Sequence, residues 1–381
     1  MRWISGLVRA VAPTLVITLA LLLGIADLAG ERLLGAIDSQ SFEKKYRIGH
    51  PIYHHTLAPN YDGRGAWGRG SYRMCTDAHG FKSACGAPAA DSKQFDLAFI
   101  GDSFTEGIGL PYEQTFVGRI AAALPGQRVA NLGVTSYAPS IYLSKVRALL
   151  AQGYRFKELV VYVDISDIQD EALTYRYADG VVRSAASTEA QEAAAARRAA
   201  EHPLLSRVKD VAYGAFPLTH AGLAGLKARW SGRAGAAAPV ESPTAYLERG
   251  FERGAWTYHP ASGGYGEMGV EGAVAQSLAR MRELHEALSR HGIALSVGVY
   301  PWPSQLLHDT RDSRQVRLWR EFCEGRCRFF HDSFGSFFGQ AQALGKDVAL
   351  QRLFIAGDVH HSPEGAALVA EDFLKARGLA R

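Results

Sequence analysis

The sequence predicts an α/β domain organised around a parallel β-sheet. Apolar runs of strand length, at residues 95–100, 128–132 and 159–165, alternate with longer segments whose apolar residues recur at helical spacing. Strands that alternate with helices in this way form parallel sheets joined by right-handed crossovers. The first run stops abruptly at Gly101-Asp102-Ser103, so polar groups follow the carboxyl end of a strand, where open α/β sheets build their sites.

Residues 1–30 are predicted to hold a membrane anchor. Two arginines, at positions 2 and 9, precede the uncharged residues 10–26, which narrowly reach the roughly 17 apolar residues that a spanning helix needs. An export signal is the alternative, because Gly24-Ile25-Ala26 offers a small-x-small cleavage site. Mostly acidic residues follow this stretch, so the positive-inside rule places the N-terminus in the cytoplasm and the rest of the chain outside it.

Residues 31–93 form a turn-rich lead-in that contains a cluster of histidines. His50, His54 and His55 lie close enough in sequence to suggest a metal site. Loop histidines that are hydrogen-bonded to the backbone are the simpler interpretation, because no acidic ligand lies beside them at helical spacing.

The four cysteines are typical of an exported chain. Cys75 and Cys85 bracket one loop, and Cys323 and Cys327 bracket another. An even number of cysteines in close pairs, in a chain predicted to be exported, indicates two local disulfides. A zinc site built from all four cysteines is the alternative, although the spacing from Cys75 to Cys85 is wide for zinc.

The remaining elements continue the alternation with one interruption. Residues 185–245 contain an alanine-rich tract and a Gly- and Ala-rich linker, a composition typical of a solvated insertion, with a lid over the site as the alternative. The predicted helices are residues 113–124, 139–152, 271–292, 313–322 and 363–377, and the later strands are residues 293–300 and 328–331.

Ser103 is a candidate nucleophile. A serine hydroxyl is a weak nucleophile unless a base takes its proton and a third group orients the base. Near the C-terminus, Asp358, His360 and His361 offer both kinds of partner. Serine is also a favoured helix N-cap, but its combination with this aspartate and these histidines favours catalysis over a capping role alone.

The stretches around Ser103 and His360 resemble the first and last blocks of the SGNH/GDSL hydrolase family. Asn131-Leu132-Gly133-Val134 is similar to the second block, and Ser166-Asp167 stands where the third block usually has Asn-Asp. The resemblance spans roughly residues 96–171 and then residue 293 to the C-terminus. It implies a three-layer α/β/α fold with a flavodoxin-like, five-stranded parallel sheet, in a domain at residues 94–381 on which the lead-in packs.

The resemblance also assigns a catalytic triad. Ser103 attacks an acyl carbonyl, His360 transfers the proton, and Asp358 orients the imidazole. The usual Asp-x-x-His spacing of the family selects His361 as the base, whereas the distance to the following Gly365 selects His360. We expect His360 to be the base, with His361 as the reserve, because the helix predicted from residue 363 fixes the position of this loop.

The expected oxyanion hole combines backbone and side-chain donors. The backbone N–H groups of Ser103 and Gly133 are two of them, by resemblance to the family. Ser166 replaces the asparagine whose side chain is the third donor in the family. A hydroxyl can donate a hydrogen bond, but it is shorter than an asparagine side chain, which leaves room for a slower acyl transferase or an altered pocket.

The sequence therefore predicts a serine esterase that needs no cofactor and removes O-acyl groups, with O-acetyl groups on cell-surface or secreted polysaccharide as the expected substrate. The resemblance and the anchor together place it in a bacterial inner membrane with its domain in the periplasm. Polysaccharide O-acetyltransfer, which would require a membrane partner protein, and non-catalytic glycan binding or assembly are the alternatives. The net charge of +4, without a basic run, gives no indication of nucleic-acid binding.

Overall fold

A computed structural model describes residues 39–67, 70–86, 92–185, 253–259 and 263–379, together with isolated helical positions at 18, 21, 22 and 25. Nearly all of the predicted anchor at residues 1–30 and of the predicted insertion at residues 185–245 lies outside the described residues, so both stay predictions. Within the described part of the chain, no helix is long and apolar enough to cross a membrane.

The strands form one central sheet and three hairpins in the described ranges. In chain order they are β1 (Arg47–His50), β2 (His54–Leu57), β3 (Asp62–Trp67), β4 (Gly70–Cys75), β5 (Gln94–Ile100), β6 (Val129–Asn131), β7 (Arg155–Tyr162), β8 (Tyr175–Ala178), β9 (Val181–Ser184), β10 (Ala294–Val299) and β11 (Cys327–Asp332). The hairpins are β1-β2, β3-β4 and β8-β9.

The central sheet confirms the predicted α/β architecture. Its five strands are all parallel and follow the order β6-β5-β7-β10-β11, which is the flavodoxin-like order. Its side chains form the centre of the core, and Phe99, Val160 and Val297 are fully buried. Because β5 and β7 are adjacent in the middle of the sheet, the carboxyl ends of the first and third strands of the domain lie side by side.

The helices in the described ranges are α1 (Ser39–Tyr46), α2 (Ser103–Glu106), α3 (Phe116–Ala123), α4 (Pro139–Ala151), α5 (Asp167–Leu173), α6 (Gly269–Arg290), α7 (Pro303–His308), α8 (Arg314–Cys323), α9 (Phe334–Leu344), α10 (Lys346–Leu353) and α11 (Pro363–Ala376). Helices α3 and α11 contact each other, whereas α6 contacts α4 and α5. The connections β5-α3-β6 and β6-α4-β7 run across the sheet in opposite directions, so right-handed crossovers place α3 and α4 on opposite faces.

Strand β7 differs from its prediction at both ends. It covers Arg155–Tyr162, whereas the hydrophobic pattern predicts residues 159–165. Glu158 interrupts the apolar pattern, yet it is buried in the strand because Arg377 donates to its carboxylate at 3.0 Å and the Ser296 hydroxyl also donates to it, at 2.6 Å. Residues 163–165 leave the strand and carry Asp164 into the site.

Two disulfides are present, as predicted. Cys75 is bonded to Cys85 and Cys323 to Cys327, and no described cysteine is free. The alternative of a zinc site built from all four cysteines is therefore wrong. The first disulfide closes the loop that follows the β3-β4 hairpin of the lead-in.

The lead-in contacts the domain through buried polar groups. Arg47 donates from both terminal nitrogens to the carboxylate of Glu106, at 2.8 and 2.9 Å. The lead-in also contains Lys82, a fully buried lysine whose ammonium donates to the carbonyls of Gly107 and Leu110 at 2.8 and 2.7 Å. Arg47 therefore binds α2, and Lys82 binds the loop that follows α2.

Candidate active site

The turn after β5 places Ser103 at the carboxyl edge of the sheet. Helix α2 begins at Ser103, and Asp102 caps it by accepting a hydrogen bond from the N–H of Phe104 at 2.9 Å. Gly101 allows this tight turn because a Cβ there would lie 2.1 Å from the Thr105 hydroxyl oxygen. Ser103 is therefore both part of a helix start and the residue exposed to the cavity.

The structure brings the three predicted triad residues together. The Ser103 hydroxyl lies 2.8 Å from Nε2 of His360. Nδ1 of the same imidazole is hydrogen-bonded to Oδ1 of Asp358. Because the carboxylate accepts from Nδ1–H, Nε2 is the unprotonated nitrogen and can accept the serine proton.

Asp358 is fixed by two further donors. The backbone N–H of His360 donates to its Oδ1 at 2.8 Å, and the indole N–H of Trp67 donates to its Oδ2 at 2.9 Å. Burial alone would raise the pKa of Asp358, but the His360 imidazole and these hydrogen bonds hold that pKa below its ordinary value. Asp358 therefore stays ionised beside the histidine, and Trp67 is a site residue that the sequence did not indicate.

His361 lies on the other side of the loop, away from Ser103. Its ring packs against Phe104, Tyr300, Phe337 and Phe354, with centroid distances from 4.8 to 5.6 Å. Burial, with the nearby His360, lowers the pKa of His361 to about 3. This histidine is a neutral core residue, which leaves His360 as the only histidine of the pair on the nucleophile.

Gly133 does not have the position expected of an oxyanion donor. Its N–H donates to Oδ1 of Asn131 at 3.0 Å, and it is not among the residues that line the cavity around Ser103. A Cβ at Gly133 would lie 2.6 Å from the backbone nitrogen of Glu106, so glycine is needed here for close packing against α2. The role of Gly133 in the oxyanion hole therefore stays a prediction, and in this structure its N–H is already bonded to Asn131.

Ser136, three residues further on, does line the cavity. Its backbone has a φ of +58°, in the left-handed region that non-glycine residues rarely adopt. Its N–H makes no hydrogen bond to any residue that the structure describes. No sequence motif indicates Ser136, because the position of its N–H depends on a backbone angle and not on its side chain.

Ser166 lines the cavity as expected, but its hydroxyl is already engaged. The hydroxyl donates to Oδ1 of Asp164 at 2.6 Å, and the Ser166 N–H donates to the same oxygen at 2.8 Å. The other oxygen of Asp164 accepts from the indole N–H of Trp302 at 2.6 Å. In this arrangement the hydroxyl of Ser166 points to Asp164 instead of serving as a free third donor.

Three buried carboxyl groups, Asp102, Asp164 and Asp167, lie behind Ser103. Each offers an oxygen within 4.8 Å of the others. Burial, followed by the charge of the neighbouring carboxylates, raises the pKa of Asp102 and of Asp167 well above the ordinary value. Since oxygens of all three accept hydrogen bonds from protein groups, we interpret this cluster as a hydrogen-bonded scaffold.

The cavity in front of Ser103 has a volume of about 480 Å³. Its lining residues include two tryptophans, the ion pair of Arg253 and Asp170, three further acidic residues and several residues with hydroxyl groups. The side chains of Trp67, Trp302 and Glu43 contribute to it, and so does Arg253, which donates to Asp170 at 2.6 Å. Oε1 of Glu43 is buried and has no hydrogen-bond partner among the described residues.

The parallel five-stranded sheet carries a serine, a histidine and an aspartate at its carboxyl edge, a combination of side chains that recurs in serine hydrolases of unrelated folds. No protein-family model matches the sequence, and no curated protein matches it. Several solved structures are similar to the chain, and they include hydrolases and lipolytic proteins of the G-D-S-L family.

One similar structure is an α/β hydrolase from the metagenome of Lake Arreo, Spain, with 14% identity, a TM-score of 0.36, and coverage of 78% of this chain and 98% of the other. A catalytic mutant of an acetylxylan esterase from Geobacillus stearothermophilus has 14% identity, a TM-score of 0.38, and coverage of 75% and 96%. A lipolytic G-D-S-L protein from Veillonella parvula has 11% identity, a TM-score of 0.37, and coverage of 74% and 96%.

One of these solved structures is a lipolytic protein of the G-D-S-L family, the family that the motifs around Ser103 and His360 resemble. At such identities and TM-scores, the similarity itself establishes neither the activity nor the substrate of this chain. Both are proposed below from the geometry of its own residues.

Proposed function

We propose that this protein is a serine esterase that cleaves O-acyl esters through an acyl-enzyme. The observation that carries the proposal is the 2.8 Å contact between the Ser103 hydroxyl and Nε2 of His360, with Asp358 hydrogen-bonded to the opposite ring nitrogen. A nucleophile, a base and an orienting carboxylate in this order meet the geometric requirement for nucleophilic catalysis.

The proposed reaction has two steps. In the first, His360 takes the Ser103 proton while Oγ attacks the ester carbonyl carbon, and the tetrahedral intermediate expels the alcohol, which receives the proton from His360. In the second, His360 activates water, which attacks the acyl-enzyme and releases the carboxylic acid and the free serine. Asp358 stabilises the imidazolium that forms in both steps.

The negative charge on the carbonyl oxygen needs donors, and two backbone groups are suited to supply them. The N–H of Ser103 is the first of α2, and the first N–H groups of a helix have no acceptor within it. The N–H of Ser136 has no acceptor among the residues that the structure describes, and Ser136 lines the cavity. We propose these two groups as the oxyanion hole, where loss of one donor raises the barrier by about 3 to 4 kcal/mol.

A carbohydrate ester is the substrate class that the cavity supports best. Trp67 and Trp302 contribute aromatic side chains to the cavity wall, and Glu43 contributes a carboxyl group. Rings for stacking, mixed with acceptors and hydroxyl groups, suit a polyhydroxylated alcohol. We propose that the substrate is an O-acetylated polysaccharide, whose sugar hydroxyl is the leaving alcohol. We also propose that the enzyme is anchored in the membrane and faces the periplasm.

The proposal is tested by hydrolysis of p-nitrophenyl acetate and of an O-acetylated oligosaccharide. We expect Ser103→Ala to lower kcat by about 10⁴-fold or more, because the nucleophile is removed. Ser289→Ala is the matched control, since the Ser289 hydroxyl is exposed on α6 and bonds only within that helix. Equal rates for the wild type and Ser103→Ala would refute the esterase and leave glycan binding as the function to examine.

A further inference from the structure

The loop that carries the Ser136 N–H is held by three hydrogen bonds from outside it. The N–H of Thr135 donates to Oε2 of Glu106 at 2.8 Å. The Thr135 carbonyl accepts from Nε2 of His55 at 2.8 Å, and the Ser136 carbonyl accepts from the hydroxyl of Tyr175 at 2.6 Å. These three hydrogen bonds hold the segment in which Ser136 has its positive φ angle.

The bond from His55 has a direct effect on the proposed oxyanion donor. The Thr135 carbonyl and the Ser136 N–H belong to one peptide unit, which is planar and trans, so the two groups point in opposite directions. When His55 holds the carbonyl on one side, the N–H is aimed to the other side. The cavity with Ser103 contains both Thr135 and Ser136 in its wall.

The carbonyl also determines the protonation of two histidines. A carbonyl oxygen only accepts, so Nε2 of His55 carries the proton and its Nδ1 is an acceptor. Nδ1 of His54 lies 2.8 Å away and therefore donates to it, which makes Nε2 of His54 the acceptor for the Ser184 hydroxyl, also at 2.8 Å. Burial lowers the pKa of His55 to about 4, so the ring is neutral near neutral pH.

We propose that His55, oriented by His54 and Ser184, is a positioning residue that aims the Ser136 N–H at the oxyanion of the substrate. This inference rests on the proposed esterase function. It gives the histidines of the lead-in a role in catalysis without contact to substrate or metal. The residue acts through the peptide unit of Thr135 and Ser136.

The test compares three variants in the full chain: His55→Ala, His55→Gln and His79→Ala. For p-nitrophenyl acetate we expect His55→Ala to lower kcat about 10-fold or more with KM changed less than about twofold, because a misaimed donor weakens only the transition state. Glutamine can donate to the Thr135 carbonyl, so His55→Gln should restore most of the rate. His79→Ala is the control, because His79 is a lead-in histidine whose ring is hydrogen-bonded to Tyr154, outside the cavity wall.

Hydrogen exchange of the peptide that contains residues 132–138 provides a readout independent of activity. We expect faster exchange in His55→Ala than in the wild type, little change in His55→Gln, and none in His79→Ala. Unchanged exchange in a folded His55→Ala, or an equal loss of kcat in His79→Ala at equal melting temperature, overturns the proposal. If His55→Ala does not fold, the same comparison between His55→Gln and His55→Leu decides it.

Failure of the esterase itself is distinguishable from failure of this inference. In that case the wild type shows no Ser103-dependent hydrolysis, and the claim that His55 aims an oxyanion donor is overturned with it. If hydrolysis depends on Ser103 but neither kcat nor exchange responds to His55, the esterase stands and only the positioning role is lost.

Discussion

His360 and His361 show how strongly a residue's role depends on its surroundings. They are neighbours in sequence, but one contacts Ser103 and the other is enclosed by aromatic rings. We expect His360→Ala to lower kcat about 10⁴-fold, because the general base is lost, whereas His361→Gln should stay within tenfold of the wild type. Hydrolysis of p-nitrophenyl acetate by the two variants, with melting temperatures to confirm folding, checks this prediction.

If His361→Gln were the inactive variant in a folded protein, the assignment of the base would be wrong. Near-native activity of His360→Ala would contradict the triad as well.

Trp67 is the residue for which a single donor can be removed most cleanly. Trp67→Phe keeps an aromatic ring in the cavity wall but deletes the N–H that donates to Asp358. We expect kcat to fall about 10-fold, because an outer hydrogen bond of this kind orients the carboxylate that orients the base. Steady-state kinetics measure the change.

Trp319→Phe is the matched control for this prediction. Trp319 is fully buried in α8, and its indole nitrogen has no hydrogen-bond partner among the described residues. The substitution should therefore leave kcat unchanged. A similar fall of kcat in both variants would show that ring size, and not the bond to Asp358, causes the effect.

The sequence indicates the nucleophile and its partners better than the groups that support them. Ser103, Asp358 and His360 stand in recognisable motifs, whereas Trp67 reaches Asp358 across 291 positions. For the oxyanion hole, sequence similarity shows where Gly133 is, but not which backbone N–H lacks an acceptor in the folded chain. That depends on the Asn131 side chain and on the backbone angle of Ser136.

At the scale of elements, β1 and α2 are joined by a buried ion pair. Arg47 and the fully buried Glu106 form two hydrogen bonds, and Arg47→Met would leave the carboxylate without its cation. We expect this substitution to lower the free energy of unfolding by about 3 to 5 kcal/mol, as for other buried pairs that lose one partner. Urea denaturation measures the loss.

The control is a second lead-in pair, between Arg73 and Asp62, whose side chains are 59% and 62% exposed. Arg73→Met should change the free energy of unfolding by less than about 1 kcal/mol, because water screens exposed pairs. An equal effect of Arg47→Met and Arg73→Met would mean that the buried pair does not stabilise the fold.

Glu106 also predicts an acid dependence of stability. Burial would raise its pKa, but Arg47 more than compensates, so the pKa in the folded state lies below the ordinary 4.5. The stabilisation is therefore present above about pH 4.5 and is lost as the pH falls through the folded-state pKa. Urea denaturation from pH 7 to pH 3 should show the advantage of the wild type over Glu106→Gln shrinking only at the acid end.

Alternation of strands and helices was predictable from apolar periodicity, but the edges of elements and several additional elements were not. Buried Glu158 concealed the start of β7 because its partner Arg377 is 219 positions away. Helices α9 and α10 gave no amphipathic pattern strong enough to predict. In each case, tertiary contacts decide what local sequence leaves open.

At the scale of the whole molecule, the lead-in packs against the part of the chain that carries Ser103. The Cys75–Cys85 disulfide follows directly on the β3-β4 hairpin, which carries Trp67. We expect the double substitution Cys75→Ser and Cys85→Ser to lower the free energy of unfolding by about 3 kcal/mol. Without the disulfide, the unfolded chain is no longer closed into a loop of this length and gains conformational entropy. It should also lower kcat, because Trp67 loses support.

Replacing the other pair, Cys323→Ser and Cys327→Ser, is the comparison. Its loop is shorter, with a separation of 4 instead of 10, and lies outside the cavity wall. The loss of stability should be smaller, about 2 kcal/mol, with unchanged kcat. A larger effect on kcat from this second pair would contradict the role given to the lead-in hairpin.

The Ser103 to His360 contact joins residues 257 positions apart. A ribosome synthesises a chain from the N-terminus to the C-terminus. Ser103, strand β5 and the lead-in are therefore made long before His360. Such long-range closure is slow and comes late in folding. The proposed triad is therefore incomplete in the nascent chain until the segment with Asp358 and His360 has been made, and a truncation before residue 358 removes two of its three members.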